Sequence, residues 1–407
     1  MWVIFERLSS EVNELEPKLS LRAQNLKPSP TLAVTARAKA LKSQGKDIIG
    51  LGAGEPDFDT PDHIKAAAIK AIQDGFTKYT EVDGTPALKA AIIKKFKRDN
   101  GLNFEPNQIL VSCGGKHSFF NLVQALLNPG DEVIIPAPYW VSYPPMVELA
   151  QGVPVIVDGP VEQGFKITAA QLEAAITPRT RLVVINSPSN PTGAVYKRSE
   201  LAELGAVLRR YPHVLIASDD IYEAIVWEGE VYCNILSACP DLYERTIVLN
   251  GVSKAYSMTG WRIGYAAGPA WLIKGMTNVQ SQSTSNPTSI SQVAAQVGLE
   301  GDQGFITMMR EAFSERHRII RARLDALPRV HCAPAQGAFY LMPDFRRVID
   351  HLEGVHNDIE LAEWLLEHAG VALVPGSAFG AEGFMRLSFA TSMDTLNKAL
   401  DRLEKVL

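Results

Sequence analysis

Lys254 is the residue in this chain best placed to act as an amine nucleophile. It lies in the link Asn250–Tyr265, with Ser253 directly before it and Arg262 eight residues on. Thr246–Leu249 before the link and Ile263–Ala267 at its end read as buried strands, and the link itself is rich in Ser, Gly and Thr. A lysine held between packed strands loses hydration. Its pKa falls, and the neutral amine can attack a carbonyl. The Ser253 hydroxyl and the Arg262 guanidinium are what a phosphate wants beside it, a neutral donor and a cationic fork. An isolated lysine is usually a solvated surface charge, so the remaining chemistry must come from elsewhere in the chain.

Several other stretches carry suitable groups. Gly114-Gly115-Lys116 follows the strand Gln108–Ser112 and precedes a helix read over Ser118–Leu127. Free amides and the helix dipole there make an anion site, without the spacing of a Walker A loop. Ile48–Leu51 runs into a loop with Gly50, Gly52 and Gly54 at alternate positions. This lets backbone approach a ligand, but it is not a dinucleotide fingerprint. Trp140 sits just past the strand Glu132–Pro136, where it either covers a flat ligand or packs in the core. Asn190 lies in the proline-fixed loop Asn186–Gly193 after the strand Leu182–Ile185. Asp219 ends the apolar run Val214–Ala217 and is costly to bury without a cationic partner. Arg386 sits in the short apolar strand Met385–Phe389, where it wants an anion or an internal ion pair.

The elements that must position these groups alternate as strand and helix from about residue 60 to about 300, which predicts a largely parallel sheet covered by helices. Thr60-Pro61 and Thr85-Pro86 read as helix starts, with Thr60 as a side-chain cap. Gly115, Trp140, Asn190, Asp219 and Lys254 all fall just after strand ends, the edge where open α/β sheets bind ligands. Arg310–Leu327 reads as a basic, solvated helix joining two domains. From Pro328 the pattern becomes a smaller α+β unit, with strands at Gly337–Leu341 and Met385–Phe389.

Bulk properties narrow the function classes. The 407 residues are 46% hydrophobic and 21% charged with a net charge of -5, so neither nucleic acid nor an anionic membrane is an indicated partner. The four cysteines (Cys113, Cys233, Cys239, Cys332) form no Cys-x-x-Cys pair, which fits a reducing compartment and suggests no metal site. No apolar run approaches the roughly 20 residues of a membrane span. The start is too short in apolar residues for a signal peptide and too acidic for a transit peptide, so the expected location is cytoplasmic.

Taken together, the motifs resemble the class I/II pyridoxal-phosphate aminotransferases over about residues 25–407. They are Gly-x-Gly-Glu-Pro-Asp-Phe (52–58), Gly-Gly-Lys (114–116), Pro-Tyr-Trp (138–140), Asn-Ser-Pro-Ser-Asn-Pro-Thr-Gly (186–193), Asp-Asp-Ile-Tyr (219–222), Ser-Lys-Ala-Tyr-Ser-Met-Thr-Gly-Trp-Arg-Ile-Gly-Tyr (253–265) and Arg-Leu-Ser-Phe-Ala (386–390). The resemblance implies a fold type I α/β architecture, with a mostly parallel central sheet in a large domain beside a smaller α+β domain. It divides the chain into a leader (1–25), small-domain segments (26–60 and 306–407) and a large cofactor domain (61–305). It makes Lys254 the Schiff-base lysine and Asp219 the partner of the pyridine nitrogen, although the family usually has Asp-Glu-Ile-Tyr where this chain has Asp219-Asp220-Ile221-Tyr222. Tyr222 and Asn190 are implied donors to the ring oxygen, and Trp140 the stacking ring. Gly115, Lys116, Ser253 and Arg262 are implied phosphate ligands, and Tyr79 reaches the phosphate of a second subunit in a homodimer with shared sites. Arg386, with Gly54 and Asn190 beside it, is the implied clamp for the substrate α-carboxylate.

Lys27-Pro28-Ser29, Gly-Gly-Lys-His (114–117) and Tyr-Trp-Val-Ser-Tyr-Pro (139–144) resemble the bacterial aspartate aminotransferases, some of which also transaminate prephenate. The expected reaction is aspartate with 2-oxoglutarate. Lys27 is the expected partner of the distal carboxylate, or else an exposed lysine. The alternatives are an alanine, aromatic or kynurenine-type aminotransferase, a β-lyase or a carboxylate-forming synthase on the same fold. A transcription regulator with an aminotransferase-like domain needs some 60 residues or more of DNA-binding segment, and about 25 precede the resemblance here.

Overall fold

A computed structural model describes residues 19–28, 30–227 and 229–407; most of the expected leader, residues 1–18, lies outside the described residues. A two-residue strand, β1 (Ile49–Gly50), comes first. The apolar runs that follow form β2 (Ile109–Ser112), β3 (Glu132–Ala137), β4 (Val153–Asp158), β5 (Thr180–Asn186), β6 (Leu215–Asp219), β7 (Thr246–Gly251) and β8 (Gly264–Ala267). They make one seven-stranded sheet in the order β2-β8-β7-β6-β5-β3-β4. β8 runs antiparallel to both its neighbours, and every other pair is parallel.

The inner strands read as near-continuous apolar runs because both faces are covered, whereas the edge strand β4 is partly exposed. Ile134, Val183, Ile216 and Val248 point into one core with Ile64, Leu88, Leu201 and Ala294 from four helices. Val133, Leu182, Leu215 and Ile247, one residue out of step, point into the opposite core with Phe119 and Leu122 of the helix Gly115–Leu126 and Leu272 and Met276 of the helix Ala270–Ser281. The period-two alternation sends neighbouring residues to opposite faces.

The second unit holds β9 (Tyr340–Leu341), β10 (Val371–Ala372), β11 (Val374–Pro375) and β12 (Met385–Ser388). β11, β12 and β9 form an antiparallel sheet, and β10 pairs in parallel with β1. The residues around β1 therefore pack with the C-terminal part of the chain: Ile49 and Leu51 share a core with Phe313, Phe339, Phe389 and Leu400. Tyr222, Ile225 and Trp227, just past β6, join that same core.

Three sequence readings change. Thr60 does not cap a helix. Pro61 occupies the cap without a side-chain bond, and the Thr60 hydroxyl donates instead to the Ser257 carbonyl at 2.7 Å in the lysine link. The strand read over Gly337–Leu341 shortens to Tyr340–Leu341, because Ala338 turns at a φ of 59°. The long basic helix spans Gly304–Asp325 and is only partly solvated. It buries Met309, Phe313, Ile320 and Leu324, and Arg316 pairs with Asp57 at 2.7 Å. Thr85 does cap its helix, accepting from the Leu88 amide at 3.3 Å.

Candidate active site

A cavity of about 400 Å³ opens at the carboxyl edge of the large sheet. Trp140 reaches it from just past β3, Asn190 from the loop after β5, Asp219 from the last position of β6, and Ser253 and Lys254 from just past β7. The first turn of the helix Gly115–Leu126 adds Gly115 and Lys116. The smaller unit closes the other side with the loop Gly52–Glu55, Tyr340 of β9 and Arg386 of β12, and Thr31 and Thr35 stand at its edge.

Lys254 is half-buried, and its Nζ donates to the Gly54 carbonyl. The nitrogen lies 5.7 Å from the Tyr222 ring centroid and 5.8 Å from that of Phe339. Burial pushes the amine down to about 8; Glu55 and Asp219 oppose that shift, while Arg386 and Arg262 add to it. A much larger share of neutral amine is present near neutral pH than for an exposed lysine.

The anion cradle is built by backbones in close approach. A Cβ on Gly264 would lie 2.2 Å from the Gly115 nitrogen, and one on Gly114 would lie 2.3 Å from Nη2 of Arg262. Gly114 also has a φ of 88°, the left-handed region that favours glycine. Arg262 itself has a φ of 57°, unusual for a side-chain-bearing residue. Its Nη1 donates to the Thr259 carbonyl at 2.8 Å, which aims the guanidinium across the helix start. The helix begins at Gly115, so the Gly115 and Lys116 amides are among the four N–H groups that have no intrahelical acceptor. The Lys116 Nζ lies 5.2 Å from the Trp140 ring, and burial together with Arg262 pushes its amine down.

Two adjacent acids have different surroundings. Asp219 lines the cavity, receives a hydrogen bond from the Tyr143 hydroxyl at Oδ2, and accepts from the Ile221 amide at 3.3 Å. Burial pushes its carboxyl up, and these donors and Lys254 pull it back. Asp220 turns away from the cavity into bonds with Ser218 and Asn234, and burial pushes it up to about 8. The acid facing the pocket is therefore Asp219.

Arg386 is 3% exposed. Its Nη1 donates to the Asn190 side-chain oxygen at 2.9 Å and its Nη2 to the Gly52 carbonyl at 2.7 Å, while Nε has no partner among the described residues. The guanidinium stacks 4.6 Å from the Tyr340 ring centroid. These partners are neutral acceptors, so the buried cation still wants an anion.

Gly54, Gly115, Lys116, Trp140, Asn190, Asp219, Tyr222, Ser253, Lys254, Arg262 and Arg386 thus meet in one cavity. Tyr79 and Lys27 do not line it. Tyr79 is 90% exposed and borders a separate groove with Lys78, Thr284 and Asn286, and Lys27 is exposed between two helices. Sequence reasoning passed over Tyr143, Tyr340, Glu55 and Thr259, all of which line the cavity. Tyr143, three residues past Trp140 and opening a helix, was the one with a local signal. Tyr340 carried none, since its hydroxyl meets that of Tyr222 at 2.8 Å across 118 residues of chain.

Comparison with known proteins agrees with this geometry. The profile of the family "Aminotransferase class I and II" matches residues 46–403. An aspartate/prephenate aminotransferase of Nitrosomonas europaea is 61% identical over 96% of this chain and 100% of its own. An aspartate aminotransferase of Geobacillus stearothermophilus is 54% identical over 95% of this chain and 98% of its own. The crystal structure of the aspartate aminotransferase from Rhizobium meliloti superposes with a TM-score of 0.93 at 48% identity, covering 96% of this chain and 98% of the other. That of Thermus thermophilus with maleate gives 0.91 at 45%, covering 96% and 100%.

Proposed function

The chain belongs to the class I and II aminotransferases, and from that premise we propose that it transfers the amino group of aspartate to 2-oxoglutarate, with prephenate as a further amino acceptor. The family's cofactor is pyridoxal 5′-phosphate, and the residues present fit it. The cradle of Gly115, Lys116, Ser253 and Arg262 offers a phosphate amides, a hydroxyl and a guanidinium. Trp140 offers a flat face, Asp219 a half-buried carboxyl group and Lys254 an amine depressed to about 8. When bound, pyridoxal phosphate supplies a carbonyl that takes up the amine and a ring that accepts electron density from the substrate Cα.

The protein's own groups do the rest. Lys254 would hold the cofactor through its amine, and the free amine would be the group that takes and returns a proton at the substrate Cα. Asp219, fixed by Tyr143, would be the carboxyl group that pairs with the pyridine nitrogen. Tyr222 and Asn190 would donate to the ring oxygen, and Tyr222 is braced by Tyr340. Arg386 clamps the α-carboxylate, with Asn190 and Gly54 beside it. A second copy of the chain brings Tyr79, exposed here, to the phosphate of its neighbour's site. The distal carboxylate falls to Lys27 or to Lys116; Lys116 already lines the cavity.

The observation that carries this reading is Arg386, a buried guanidinium in the same cavity as a depressed lysine, held by neutral acceptors. A substrate that offers both an amine and a carboxylate satisfies both groups. Support for a dicarboxylic partner comes from the names of the relatives and from maleate, a four-carbon diacid, in the Thermus thermophilus structure. The test is a steady-state panel of aspartate, alanine and phenylalanine as amino donors to 2-oxoglutarate, with prephenate run as acceptor from aspartate, recorded beside the absorption spectrum. Aspartate leads if the reading holds, and negligible aspartate turnover overturns it.

A further inference from the structure

The turn after β6 alternates between the cavity and the interior behind it. Asp219 and Tyr222 line the cavity, while Asp220 and Glu223 face away from it. The Glu223 carboxylate forms an ion pair with the Lys95 amine, and the two side chains are only 10% and 6% exposed. Lys95 is the last residue of the helix Pro86–Lys95, and Phe96–Asn100 continues it as one π turn. A π turn brings residue i+5 back over residue i, and Asn100 accordingly accepts from the Lys95 Nζ at 2.8 Å. Glu223 has two further donors. Asn100 Nδ2 donates to its Oε2 at 2.6 Å, and Asn250 Nδ2 donates to its Oε1 at 2.7 Å.

A buried ion pair gains little net stability over apolar side chains of the same size, because both charges give up their hydration. Its benefit must lie in the further contacts the carboxylate makes. Asn250 lies near the end of β7, four residues before Lys254. It is buried, and its Oδ1 accepts from the Gly251 amide at 2.7 Å, so its amide group is held at both ends. Glu223 directly follows Tyr222. The last paired residues of β6 and β7 are Asp219 and Leu249, and the Asp220 amide donates to the Leu249 carbonyl at 2.9 Å. Beyond that point the bond from Asn250 to Glu223 takes over as a tie between the turn of Tyr222 and the lysine link. On the cavity side the two groups it serves stand close, with Lys254 Nζ 5.7 Å from the Tyr222 ring centroid. None of these bonds involves Arg386, which is held by Asn190 and Gly52.

We propose that Glu223 is a positioning residue for the site: held by Lys95 and Asn100, its carboxylate binds Asn250 and so fixes the lysine link against the turn that carries Tyr222. This rests on the reading of Lys254 and Tyr222 as cofactor-binding groups. A carboxylate buried without a cation is costly, so Lys95 is the partner that lets Glu223 stay where it can reach Asn250.

Two variants of the full chain test this. Asn250→Ala removes the arm to the lysine link and leaves the ion pair in place. Lys95→Met combined with Glu223→Leu replaces the pair by apolar side chains of similar size, so that no unpaired charge is left behind to unfold the protein. Each cofactor-free protein is mixed with pyridoxal phosphate, and the growth of its visible absorption is timed. Turnover of aspartate is measured beside it. In both variants the absorption grows about tenfold more slowly and kcat falls by a similar factor, the scale of a reacting group displaced by a fraction of an ångström. KM for aspartate stays at the wild-type value, because Arg386 lies outside the network. A purely structural pair changes the melting temperature and leaves both rates of the folded protein alone. Wild-type rates in either variant therefore overturn the inference, as does a change confined to KM. If the wild-type chain itself develops no visible absorption, the reading of Lys254 fails, which is a distinct result.

Discussion

On one side of the cavity Gly264 approaches Gly115 so closely that a Cβ would lie 2.2 Å from its amide nitrogen; on the other Thr31 and Thr35 stand at the edge, and Lys27 is exposed outside the lining. The first end is backbone packed on backbone, pinned by β7 and β8 and by Arg262 across the start of the helix Gly115–Leu126. The second is side chains on the smaller unit and on the segment before β1. Close-packed backbone cannot shift without losing sheet hydrogen bonds, whereas exposed side chains can change at little cost. A cofactor held the same way in every turnover suits the first end, and the choice among substrates suits the second.

The contrast fails if damage at the cradle end merely changes substrate preference. Lys254→Ala is the most severe substitution: turnover falls by about a thousandfold or more for every amino donor, and the visible absorption is lost. Turnover close to wild type refutes the assignment. Next comes Gly264→Ala, which drives a methyl into the Gly115 amide. The collision costs about 3 kcal/mol and weakens cofactor binding by about a hundredfold, read by titrating the cofactor-free chain, with relative rates among donors unchanged. Retained affinity would mean that the cradle can flex.

Arg386→Lys lies between the two ends. A lysine cannot reproduce the fork that meets Asn190 and Gly52, so kcat/KM falls by about thirtyfold. Because every substrate brings an α-carboxylate, the loss is equal for aspartate and phenylalanine. A loss confined to one of them would place Arg386 at the distal carboxylate instead.

The cradle end was legible in the sequence because its parts are local. Ser253, Lys254 and Arg262 share one link, Gly114 to Lys116 form one turn, and each follows an apolar run that could only be a buried strand. The parallel sheet followed from the same alternation of strand and helix. What stayed hidden is made by pairs far apart in the chain. Thr60 read as a helix cap and is spent on Ser257, 197 residues on. Tyr340 has no neighbouring motif, yet its hydroxyl braces Tyr222 and its ring lies beside Arg386. The choice of Asp219 over Asp220 came from the motif and not from residue type, since both are aspartates; the turn after β6 sends Asp219 to the cavity and Asp220 to Ser218 and Asn234.

The smallest expected effect decides who reads the distal carboxylate. Lys116 lines the cavity beside Trp140, and its amine is pushed down by desolvation and by Arg262. Lys27 is exposed and outside the cavity lining, so it meets a substrate only if the segment before the helix Pro30–Ser43 moves inward. Each single alanine variant is compared on aspartate and on alanine, which share an α-carboxylate and differ in the distal one. If Lys27 is the reader, Lys27→Ala lowers kcat/KM for aspartate about fivefold and leaves alanine unchanged, the upper scale of one solvent-accessible ionic contact. If Lys116 is the reader, that selectivity passes to Lys116→Ala, and Lys27→Ala treats both donors alike. Equal losses in both variants would move substrate choice off the exposed end and remove the distinction between the two ends of the cavity.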